Sequence, residues 1–145
     1  MSAKVVQTAE PITARSVSCF WHKRIYVGLK FTDLPPRVKM AVLAHEFAHC
    51  EGHHTEWRAL ALLCPFLIKW LCHWQEYRAD AYAARCDFGP ELLWFLRDES
   101  KGSTTHPQNY LRRQKLVHNK FFARSPLRTK PESGYTADRT VGVTN

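Results

Sequence analysis

The chain has 145 residues, 45% of them apolar, with eight phenylalanines and five tryptophans. That is enough for one domain with a real core, too short for two, and too apolar for a chain disordered throughout. The net charge is +8, and residues 111–145 carry most of it, with eight Lys/Arg against Glu132 and Asp138.

This charge reads as a solvated basic tail, with attraction to an acidic partner or an anionic membrane as the sharper alternative. No aromatic-interleaved basic strand or nucleic-acid motif accompanies it, which argues against a nucleic-acid partner. The five cysteines are odd in number and form no C-x-x-C pair. A disulfide framework or a zinc ribbon is therefore not expected, and a reducing, cytoplasmic compartment is. No long apolar stretch marks a signal peptide near Met1.

In chain order, Met1–Arg15 is unpatterned and reads as a flexible lead or a short helix. Ser16–Phe31 is rich in β-branched and aromatic residues, which predicts a hairpin turning near His22-Lys23. Thr32-Asp33-Leu34-Pro35-Pro36 is a helix start with Asp33 as the cap, and the helix runs over Val38–Cys50 to a stop at Gly52. A second helix opens at Thr55-Glu56 and reaches about Leu63. After Pro65, Phe66–Arg85 reads as a long helix with Leu67, Trp70, Leu71, Trp74, Tyr77 and Ala81 facing the core. The apolar segment Ala59–Trp74 is interrupted by Pro65, Lys69 and His73 and falls short of the roughly 20 residues of a membrane span. It reads as buried helix, with membrane contact left open. Phe88-Gly89-Pro90 is a turn, Glu91–Arg97 a short helix, Lys101–Pro107 a polar loop and Tyr110–Phe122 a basic helix. Residues 123–145 read as a disordered basic tail.

The helix over Val38–Cys50 carries His45-Glu46-Phe47-Ala48-His49, an H-E-x-x-H pattern. Histidines four apart on a helix lie roughly 40° apart around its axis, so both can close on one Zn²⁺. Glu46 then stands beside the open position, where it can take a proton from water. A third protein ligand is expected. Glu76 and Asp80, also four apart, suit a carboxylate ligand with a second carboxylate behind it that holds the free ring N–H of a ligand histidine. His53, His54 and His73 are the other candidates. Histidine at position 55 would match a metzincin, but the chain has Thr55 there.

These motifs together resemble the gluzincin peptidases of the CAAX-prenyl-protease and HtpX type, particularly the small soluble minigluzincins. The likeness spans roughly Ser16–Val117. It rests on a strand at Lys23–Val27, the helix with Val42–His49, Glu76-Tyr77-Arg78-Ala79-Asp80 in place of E-x-x-A-D, and Thr105-His106-Pro107 followed by Arg112. The resemblance implies zinc on His45, His49 and Glu76, Glu46 as general base, and Asp80 behind a ligand histidine. It places His106 near the oxyanion and gives Arg112 the support of that loop or a contact to substrate backbone. The strand Arg24–Lys30 would line the cleft as an edge that pairs with an extended peptide.

The expected fold is α+β: a mostly helical zincin-like core over residues 16–122, with a small antiparallel hairpin beside the active-site helix. The expected activity is that of a zinc endopeptidase acting on a peptide or protein substrate. The alternative is a zinc-stabilised binding module that acts through the basic tail. A latent enzyme plugged by one of its own ends is a third reading.

Overall fold

The computed structural model describes residues 3–19, 21–98 and 101–119. Its elements are β1 (Lys4–Gln7), β2 (Ala14–Cys19), β3 (His22–Val27), α1 (Leu29–Thr32), α2 (Pro36–Glu51), α3 (His54–Ala61), α4 (Pro65–Arg85), α5 (Gly89–Phe95) and α6 (Asn109–Val117). The fold is α+β, a small mixed sheet laid against a helical body. The tail 123–145 lies outside the described residues.

The sheet order is β1-β3-β2, with β1 parallel and β2 antiparallel to β3. Two expectations change here. Residues 4–7 are a strand rather than part of a free lead, because Val5 and Val6 register with Ile25 and Tyr26. The strand containing Arg24 is the centre of the sheet, hydrogen-bonded on both sides, so it offers no edge to a peptide. The outer strand that faces α2 and α3 is β2. Its Ser16 and Ser18 N–H groups point away from β3 and reach Glu46 Oε2 at 2.8 Å and Thr55 Oγ1 at 3.3 Å.

Pro35 and Pro36 start α2, whose missing N–H groups cost nothing in a first turn. Asp33 does not cap it; it ends α1 instead. Gly52 closes α2 in a right-handed conformation, and the left-handed residue that reverses the chain is His53, at φ 51°. Gly52 is needed for a different reason: a Cβ there would stand 2.3 Å from His54 Nε2.

One apolar cluster joins Ala41 of α2, Ala83 and Ala84 of α4, Leu92 and Leu96 around α5, and Leu116 of α6. A second packs Ile25 and Val27 of β3 on Cys50, flanked by Leu43 and Phe47. α4 therefore buries Cys72, Gln75, Glu76, Ala79, Asp80 and Ala83, at the 3.6-residue spacing of one helix face. The expected core stripe is overturned: Leu67, Trp70 and Trp74 are exposed. The reason is geometric, since turning Glu76 and Asp80 toward α2 turns the tryptophan face of the same helix outward. Cys72 is buried as expected, whereas Cys64 is exposed.

Candidate metal centre

α2 and α4 pack side by side and bring three side chains to one point. His45 Nε2 and His49 Nε2 are 3.1 Å apart. Glu76 Oε2 is 3.5 Å from His45 Nε2, and Glu76 Oε1 is 3.4 Å from His49 Nε2. All three residues are buried, and no other described group of three or more His, Cys, Asp or Glu gathers in this way. Two imidazole nitrogens and a carboxylate oxygen are a zinc donor set, and tetrahedral zinc with bonds of about 2.0–2.1 Å spaces its ligand atoms by about 3.3 Å. The observed separations are close to that spacing, with each histidine facing a different oxygen of Glu76, and one ligand atom from each residue lies within 4.8 Å of the others. Glu76 Oε2 is buried without an aligned hydrogen bond, at ion-pair distance from Arg112 and His106. The residues present fit a zinc ion.

Glu76 is held charged. Burial would raise its pKa, but His106 and His45 draw it well below the usual carboxylate range. Arg58 of α3 bonds Glu76 Oε1 at 3.2 Å and Gln75 Oε1 at 2.7 Å, which fixes the rotamer with Oε1 toward His49 and Oε2 toward His45. Burial, then the neighbouring His45, push His49 well below its ordinary value, so it is neutral, as a ligand must be. His45 also feels burial first, yet Asp80 and Glu76 outweigh it and raise its pKa to about 9. A metal must displace that proton.

Asp80 Oδ1 lies 2.9 Å from His45 Nδ1, at ion-pair distance though without the alignment of a full hydrogen bond. Behind it, Arg112 of α6 donates from Nη2 to Oδ1 at 2.6 Å and from Nε to Oδ2 at 2.9 Å. Burial would raise the Asp80 pKa, and Arg112 pulls it down. Arg112 is itself buried and sits 3.4 Å from Glu76 Oε2. The family likeness offers support of the His106 loop or a contact to substrate backbone; the side-chain partners seen here are instead Asp80 and Glu76. His106 is different. Its ring is largely exposed at the mouth of the site, with Nδ1 3.3 Å from Glu76 Oε2. Ser103 Oγ accepts the N–H groups of Thr105 and His106 and holds that loop in shape. Glu46 follows His45 on α2, and its carboxylate accepts the Ser16 N–H of β2.

The other candidate ligands lie apart. His53 is exposed and pairs with Glu56 at 3.1 Å, and His73 bonds the Ser103 carbonyl at 3.1 Å. His54 has a role that the sequence reading missed. It is buried, and its Nδ1 is 2.6 Å from His49 Nδ1. Burial, then Arg58, lower its pKa to about 4, so it is neutral. If His49 offers Nε2 to a metal, its Nδ1 carries the proton and donates it to the lone pair of His54 Nδ1. That bond sets the His49 tautomer. The adjacent Gly52, with no side chain in the way of the ring, was the available clue. His54→Ala should lower zinc affinity about 10–100-fold, read by competition with a chromogenic chelator; unchanged affinity would remove His54 from the site.

Comparison with family models, with curated proteins and with solved structures returned no match.

Proposed function

We propose that the protein is a zinc-dependent endopeptidase of gluzincin type, resembling the minigluzincins. The observation that carries this reading is the convergence of His45, His49 and Glu76, with Glu46 on the same helix as the two histidines. When bound, zinc would polarise a scissile carbonyl and acidify a water. The chain's own residues do the rest. Glu46 takes the proton from water and passes it to the departing amine. His106, at the mouth, stands ready to donate a hydrogen bond to the developing oxyanion. Asp80 and His54 hold the two imidazoles from behind, and Arg112 holds Asp80. An extended substrate would run past Glu46 and His106 without joining the sheet, since β3 is central and the outward Ser16 and Ser18 N–H groups of β2 are already taken by Glu46 and Thr55.

The test is Glu46→Gln in a peptide-library cleavage assay. The amide keeps an oxygen for the Ser16 N–H, so the fold and the zinc content should stay as in wild type. Turnover should fall by at least about 10²–10⁴-fold. Cleavage at the wild-type rate would mean that Glu46 is not the base. Absence of cleavage by wild type loaded with zinc would sink the reading as a whole.

A further inference from the structure

A large apolar surface lies away from the metal site, where α3 turns into α4 through Leu62-Leu63-Cys64. At this tip Leu63 is 82% exposed, Phe66 80% and Leu62 68%. Behind the tip, Trp57 on α3 and Trp70 on α4 are also exposed. Patches of this kind mark surfaces that meet something.

Three observations select the occupant. Trp57 stands five residues before Leu62, and Trp70 four after Phe66, so each ring is about 6–8 Å back along its helix. That is the depth to which interfacial helices sink, about 5–10 Å, and tryptophan favours the headgroup level where such a segment leaves the acyl region. Next, no Asp or Glu occurs between Trp57 and Gln75, while Lys69 does; Arg58 in that stretch turns inward to Gln75 and Glu76. Lys69 is exposed, and Arg78 lies 4.8 Å from the Trp74 ring centre on the same outward face, so the flank is cationic in a chain of net charge +8. Finally, the surface is a protruding hairpin end. Two cavities, of about 220 and 130 Å³, are lined by other residues and do not reach the tip.

We propose that the α3–α4 tip is a reversible anchor on an anionic lipid surface, inserting Leu62, Leu63 and Phe66 with Trp57 and Trp70 among the headgroups. No described helix is long and apolar enough to cross a membrane, and the contact is interfacial. It does not depend on the peptidase reading.

The experiment is flotation of the full chain with phosphatidylcholine vesicles, with and without phosphatidylserine. Wild type should float with the phosphatidylserine vesicles. Leu63→Glu/Phe66→Glu, which alters exposed positions only, should lower the bound fraction at least about tenfold with an unchanged circular dichroism spectrum. Vesicles with brominated acyl chains should quench wild-type tryptophan emission, and Trp57→Phe/Trp70→Phe should remove most of that quenching. The second assay decides the matter if the glutamate variant fails to fold. The proposal is overturned if wild type floats with neither vesicle, or if the brominated chains leave its emission unchanged. It is overturned also if the glutamate variant floats as well as wild type and is released by salt, which would assign binding to the basic tail. A dimer in solution that the glutamate variant dissolves, without vesicle binding, would make a second copy of the chain the occupant.

Discussion

Glu76→Ala should leave the protein without zinc, where wild type should carry about one ion per chain. Two histidines are too few to hold a catalytic zinc firmly, and Glu76 is the one carboxylate among the described residues that meets both imidazoles. The variant also removes the anion toward which Arg58, His106 and Arg112 all lean. The site would turn net cationic and repel a divalent ion. Elemental analysis after dialysis and zinc resupply is the measurement. Glu76→Gln is the companion, since it keeps the volume and an oxygen for Arg58 while removing the charge; it too should lose most of its zinc. Full occupancy in both variants would move the third ligand elsewhere and take the gluzincin reading with it.

Arg112→Leu should produce the largest loss of stability. The guanidinium joins α6 to α4 through two bonds to Asp80, and both side chains are at least nine-tenths buried. Removing it strands the Asp80 carboxylate in the interior. Breaking a buried pair from one side costs about 3–5 kcal/mol, and in a domain of this size each kcal/mol is worth roughly 4 °C in Tm. Thermal denaturation of both proteins at matched zinc loading should show a fall of more than about 12 °C. Arg112→Leu/Asp80→Leu should recover part of the fall, because no charge is then left unpaired. A single variant melting within a few degrees of wild type would show that the pair is not what fastens α6.

The half of α2 that carries His45 and His49 was legible in the sequence because chemistry and periodicity agreed there. H-E-x-x-H sits in an apolar run bounded by Pro36 and Gly52, and each of those marks works locally. Glu76 and Asp80 were legible for the same reason, as two carboxylates one turn apart. α4 as a whole was misread. Its larger apolar side chains, Trp70 and Trp74, outweigh the alanines and Cys72 in any count of hydrophobicity, yet the face that packs is the one with Gln75, Glu76 and Asp80. Hydrophobic pattern reports which face is greasier and does not know that a buried ionic cluster compels the other face inward. The parallel pairing of Lys4–Gln7 with β3 was invisible because four residues carry little period of their own, and their partner is settled by the whole sheet. His54 was considered as a ligand but not as the partner of His49. That role depends on how the chain turns after α2, and the turn rests on His53 adopting a left-handed backbone.

α4 runs unbroken from Pro65 to Arg85, so Phe66 at its tip and Glu76 at the candidate metal centre belong to one stiff rod, ten residues or about 15 Å apart. A helix of that length behaves as a lever. A tilt of about 1° pivoting at the tip swings Glu76 by roughly a quarter of an ångström, comparable to the latitude of about 0.2 Å within which a ligand atom serves its metal. Whatever seats itself on Phe66 and Leu63 therefore has mechanical purchase on the coordination of a site it never touches.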